Sequence, residues 1–147
     1  MCAGLEYIEP AGKVWKVYFP NPKAALPIAS SNGTVEWIKW GRRKEEQAPF
    51  VQGGWACIDS IEAGKWDRYN PQHVRLAAQS FMEKDSEKVS HWIEVPQGFA
   101  IQALVVEQDS ATRLYIVTED TPPEYSWVHD RWPRLINFQG NINETGY

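Results

Sequence analysis

The chain has 147 residues, of which 43% are hydrophobic and 23% charged, with a formal net charge of −4 at pH 7. These values fit one domain over residues 1–147 with its own core, and they exclude a disordered, collagenous or membrane-spanning helical chain. The charge is uneven, +4 over residues 1–44 and −8 beyond, so a strongly basic nucleic-acid binder is excluded while a local phosphate-binding face is not.

Val14-Trp15-Lys16-Val17-Tyr18-Phe19 mixes β-branched and aromatic residues and reads as a strand, broken by Pro20-Asn21-Pro22. Residues 25–28 form a short extended piece. Ser30-Ser31-Asn32-Gly33 is a hairpin-type turn, and residues 34–40 alternate as a strand closed by Gly41. Residues 45–55 read as a loop and 61–70 as a short helical turn. Four further strand-like runs follow, at 73–81, 90–95, 98–106 and 112–118, separated by charged or Gly-containing turns. Thr121-Pro122-Pro123-Glu124 opens a short helix or irregular loop, and a polar tail from about 137 is expected to fray. The succession predicts an α+β, mostly β fold, an antiparallel sheet or open barrel with few short helices.

The chain begins Met1-Cys2-Ala3 and contains one other cysteine, Cys57, so no disulfide framework is expected. Three dispersed histidines show no zinc-ligand spacing, and neither a metal nor another cofactor is expected. Removal of Met1 would leave Cys2 with an amine titrating at about 7.7–8.0 and a thiol at about 8.5. Such a 1,2-aminothiol captures aldehydes as thiazolidines; the alternative is an ordinary cysteine near a chain end. The eight tryptophans serve either a core or stacking faces for unpaired bases. Trp40 followed by Arg42 and Arg43 sets an aromatic face beside two cations, an arrangement suited to a single strand.

Trp127-Val128-His129-Asp130-Arg131-Trp132-Pro133 resembles the His-Asp-Arg-Met-Pro signature of the SRAP (SOS-response-associated peptidase-like) family. Other pieces follow in the family's order. They are Cys2, Tyr18-Phe19-Pro20-Asn21-Pro22, Trp37-Ile38-Lys39-Trp40-Gly41, and Ala78-Gln79-Ser80-Phe81-Met82-Glu83-Lys84. The resemblance covers roughly residues 2–136. Departures are Ala3-Gly4 after the cysteine, Trp132 for the methionine, and Ile58-Asp59-Ser60-Ile61-Glu62 where the family has Asn-Ala-Arg-x-Glu. Only the glutamate matches there; Asp59 takes the asparagine's place if the register slips by one.

The resemblance implies covalent capture of abasic sites in single-stranded DNA by Cys2. Glu83 would be the acid–base group beside the amine, and His129 the proton shuttle at the sugar oxygen. Arg131 would hold phosphate or structure, with Asp59 near the sugar. The expected partner is single-stranded DNA carrying abasic sites, with no membrane and a monomeric protein. The expected setting is bacterial or phage-encoded, cytoplasmic, with nucleoid association open. Two other readings stay open: a non-catalytic single-stranded-DNA-binding module of the same fold, and an autoproteolytic or peptidase-type cysteine nucleophile. Whether the activity is enzymatic is open too.

Overall fold

The computed structural model describes residues 2–138. Strands make up 49% of the structure and helices 8%, so the expected mostly β, α+β class is what the chain adopts; its sheets are not closed into a barrel. The strands run in the order β1 Gly4–Ile8, β2 Val14–Tyr18, β3 Ala25–Ala29, β4 Val35–Lys39, β5 Trp55–Cys57, β6 Gln72–Leu76, β7 Ser80–Lys84, β8 Ser90–Glu94, β9 Phe99–Gln108, β10 Ala111–Asp120, β11 Arg131–Pro133 and β12 Leu135–Asn137. One short helix, α1 Ile58–Glu62, follows β5, and single 3₁₀ turns lie at Asp67–Tyr69 and Pro123–Tyr125. No helix among the described residues is long and apolar enough to cross a membrane.

A four-stranded antiparallel sheet has the order β2-β1-β7-β8. The larger sheet runs β11-β10-β9-β6-β3-β4, with β12 added to β9 and β5 added in parallel to β10. The period-2 alternation of strands explains how β9 and β10 serve two cores at once. Ile101, Ala103, Leu114 and Ile116 enter the cluster between the sheets, with Cys2, Leu5, Phe81 and Trp40. Leu104, Val106, Tyr115 and Val117 point the other way, onto Phe50, Trp66 and Tyr69. Strands buried on both faces carry continuous apolar runs, as Ala103–Val106 and Leu114–Val117 do.

Local chemistry sets the turns. Asp109 and Ser110 both have positive φ, 53° and 66°, the signature of a two-residue turn matching the strand twist of the β9–β10 hairpin. The Ser30–Gly33 turn joins β3 to β4 as expected, with Gly33 at φ 83° and Asn32 Oδ1 accepting from the Thr34 backbone N–H at 3.1 Å.

The structure corrects several boundaries. The run 73–81 is not one strand: it splits into β6 and β7, which belong to different sheets. At the crossover the Ala77 N–H donates to Pro27 O of one sheet and the Gln79 N–H to Glu6 O of the other. The helical turn begins earlier than 61, at Ile58. β5, β11 and β12 are three-residue strands carried by the ten-residue β9 and β10, and β1 is held between β2 and β7. The tail expected to fray from about 137 overlaps the end of β12 at Asn137; from residue 139 it lies outside the described residues.

Candidate active site

Cys2 lies just before β1 and is completely buried, 0% exposed. Backbone bonds hold the arm on both sides: the Ala3 N–H donates to Met82 O on β7, and the Phe19 N–H donates to Ala3 O, each at 3.0 Å. The Trp55 indole Nε1–H donates to Cys2 O at 2.6 Å, and Cys2 Sγ–H donates to Gly4 O at 3.3 Å. The nucleophile candidate is thus pinned by three separate segments of chain. Burial pushes its thiol far above the ordinary range, and the nearby Glu83 carboxylate pushes the same way.

Glu83 sits on β7, 0% exposed, two residues from buried Phe81 and therefore on the same core-facing side. Gly4 pairs with Met82, which draws the arm's residues 2 and 3 alongside Glu83. Burial raises its carboxyl from 4.5 to about 7, against the opposing charge of the amino terminus. A carboxyl titrating there is both acid and base at neutral pH.

The His129 segment folds over this end of the small sheet. Val128 and Trp132 are buried in the same cluster as Cys2, and Trp132 meets Phe81 edge-on at 5.1 Å while Tyr125 stacks on Trp132 at 4.9 Å. His129 Nδ1 accepts from the Arg131 N–H at 3.1 Å and stands 3.0 Å from Asp130 Oδ1. One nitrogen therefore faces a donor when neutral and an acceptor when protonated, so both states have a partner. Burial first, and then the amino-terminal charge, lower the imidazole's pKa, with Asp130 opposing.

The predicted DNA contacts fare differently. Trp40 is 0% exposed, its Nε1–H donating to Gly54 O at 2.9 Å, so it offers no face to a base. Arg43 is also buried: Nε donates to Phe19 O at 2.9 Å, Nη1 to Trp40 O, and the guanidinium lies 4.1 Å over the Phe19 ring. Arg42 ties Phe50 O and Glu46 O at 2.7 and 2.8 Å, closing the 42–53 loop. The N–H groups of all three are thus engaged by carbonyls of the 42–54 segment and its neighbours within the fold.

Arg131 donates to Asp120 Oδ1 at 2.8 Å, Thr118 Oγ1 at 3.2 Å and Cys57 Sγ at 3.1 Å, so its fork is engaged within the fold. Asp59 is exposed and shares a cavity of about 240 Å³ with Arg131, Glu119 and Asp120, a lining too acidic for phosphate. A different face lies along β8, the strand paired with the one that carries Glu83. A groove of about 480 Å³ is lined by His91, Trp92, Ile93, Glu94, Tyr125, Trp127 and Val128. Trp127 is 62% exposed, and Tyr18 and Trp92 meet edge-on with Lys16 over the Trp92 ring. The signal lay in the strand period, which sets Trp92 and Lys16 on the solvent side of the small sheet. Among the described residues, no three or more His, Cys, Asp or Glu side chains are grouped to hold a metal.

No protein-family model matches the chain, and no curated protein does.

Proposed function

We propose that this protein captures abasic sites in single-stranded DNA covalently through Cys2, in the manner of the SRAP proteins that its motifs resemble. The reading is carried by one observation: Cys2 and Glu83 are buried together beside the end of the β1–β7 ladder, with Glu83 held near neutrality.

The chemistry requires Met1 to be removed, turning the Cys2 nitrogen from amide to amine. His129 exchanges a proton with the sugar oxygen as the abasic ring opens to its aldehyde. The Cys2 amine adds to the aldehyde carbon, giving a carbinolamine. Protonated Glu83 gives its proton to the carbinolamine hydroxyl, which leaves as water, and the C=N bond of an iminium forms. The thiol then returns a proton to the Glu83 carboxylate, and sulfur bonds to the iminium carbon. One water is lost overall, no oxidant is needed, and Glu83 ends as it began. Because burial keeps the thiol protonated, this second step depends on a base beside it.

The exposed Trp92 and Trp127 rings, with Lys16 adjoining, support an unpaired strand as the carrier of the aldehyde, since every base has a face to stack. The test is incubation of Met1-free protein, verified by intact mass, with single-stranded DNA containing one abasic site. A denaturing gel should show a shifted band that is absent with Cys2→Ala and formed at least about tenfold more slowly by Glu83→Gln. No shifted band from the Met1-free protein would overturn the reading.

A further inference from the structure

A fully buried acid–base group has no direct exchange with water, so bringing Glu83 to its protonated starting state before capture needs a neighbour that passes protons. The β7–β8 ladder supplies one. His91 lies directly opposite Glu83 in the antiparallel register and so shares its face, with Cβ atoms about 5 Å apart. His91 is only half-buried and lines the groove bounded by Trp127, which its ring meets edge-on at 5.0 Å. It therefore touches both the buried carboxyl's side of the sheet and solvent.

Its orientation is built in. Asp85 Oδ2 lies 2.8 Å from His91 Nε2, while Asp85 Oδ1 accepts the Glu87 and Val89 N–H groups at 2.9 and 3.0 Å. The carboxylate is locked by its own hairpin, with Lys88 at φ 65° completing the turn. This fixes which imidazole nitrogen faces Asp85 and leaves Nδ1 for the other side. The titratable groups around His91 are Glu83 on β7, Asp85 in the hairpin, and Glu94 and Tyr125 of the shared groove. From the turn after the 3₁₀ segment comes the uncharged Trp127 ring, which meets His91 edge-on, with His129 two residues on.

We infer that His91, oriented by Asp85, is a positioning residue that relays protons between the groove and Glu83. This inference rests on the capture reading above. His91 needs no contact with DNA. It takes a proton from solvent at one ring nitrogen and gives one up at the other, so that its own state is restored once Glu83 is protonated for capture.

The experiment follows crosslinking rate against pH for the Met1-free protein, His91→Gln, His91→Gly and Asp85→Asn, with thermal melting recorded for each. His91→Gln should slow capture about tenfold and lose the wild-type pH dependence. Added imidazole should restore His91→Gly, an effect that a merely structural histidine would not show. Asp85→Asn keeps an oxygen for the hairpin N–H groups and should displace the pH profile without lowering the melting temperature by more than a few degrees. A wild-type band with unchanged rate and profile in His91→Gln overturns the relay alone. Absence of the wild-type band overturns the capture reading and the relay with it.

Discussion

The Trp55 indole nitrogen and the Cys2 carbonyl oxygen lie 2.6 Å apart although the residues are 53 positions distant in the chain. Trp55 also tilts against Phe19 at 4.7 Å and meets Trp40 at 6.1 Å, so the donor is itself held by packing. Trp55→Phe keeps most of that packing and removes the N–H. Stability should fall by about 1 kcal/mol, the net worth of one hydrogen bond. Capture should slow further than stability predicts, because the arm loses the contact that fixes the Cys2 peptide. Denaturant midpoints beside crosslinking rates measure both; equal rates for the two proteins would show that Trp55 does not position the nucleophile.

Arg43 offers a sharper contrast between structure and binding. Its guanidinium satisfies Phe19 O and Trp40 O and covers the Phe19 ring. Arg43→Met should cost about 2–3 kcal/mol, since two carbonyls lose a charged donor. Arg43→Lys should recover little, because an ammonium lacks the planar fork. Neither should change the salt dependence of single-stranded-DNA binding, whereas Lys16→Ala should lower its slope by about one phosphate contact. A reduced salt slope for Arg43→Met would return Arg43 to the DNA interface.

Gly41, the last residue of the Trp-Gly strand end, is constrained twice. Its φ is +56°, and a Cβ there would overlap Gly53 O and lie 2.7 Å from Gly54 Cα. Gly54 O in turn accepts the Trp40 indole N–H and the Ile116 N–H, both at 2.9 Å. Gly41→Ala therefore pushes on the segment that leads into Trp55. A loss of more than about 2 kcal/mol is expected from strain and overlap together. Chemical denaturation reads this directly, and a variant within 0.5 kcal/mol of wild type, the range of about ordinary surface changes, would contradict it.

Why the sequence disclosed some of this and not the rest follows from the residues. β2, β4, β9 and β10 carry their own aromatic and β-branched signals, so their existence was legible without partners. β1 and β5 carry Gly4 and Cys57 and are strands because neighbours supply the ladder. Glu83 and Cys2 were found through motif order, and the fold brings them together through the Gly4–Met82 pairing, a contact with no local trace. Arg42, Arg43 and Trp40 misled because a cation beside an aromatic looks the same in sequence whether it turns inward to carbonyls or outward to phosphates. Only the 42–53 loop closure decides between them. His91 carries no signal in sequence because its place is a register relation to residue 83, set by the length of the β7–β8 hairpin.

The pH dependence of stability should carry two opposed slopes. Glu83 has a folded pKa raised from 4.5 to about 7, so the folded state holds the proton more tightly. That contribution is fully present below about 4.5 and is lost as pH rises through 7, to an extent of about 3 kcal/mol. His73 works the other way. Its Nδ1 accepts from the Gln102 amide at 2.7 Å, and Gln102 Oε1 accepts from Arg134, so protonation would set donor against donor. Burial, and then Arg134, lower its pKa, and its contribution is lost as pH falls below about 6.5 toward the folded value. His129 adds in the same direction. Thermal melting from pH 4 to pH 8 separates the groups by variant. Glu83→Gln should lose the decline on the alkaline side, gaining several degrees relative to wild type at pH 8 but not at pH 4, while slowing capture. His73→Gln should flatten the acid side only. The decisive comparison is the difference between pH 4 and pH 8 within each protein, because that difference cancels any change in packing. If Glu83→Gln retains the wild-type difference, Glu83 does not titrate near neutrality, and the acid–base role assigned to it fails with the stability argument.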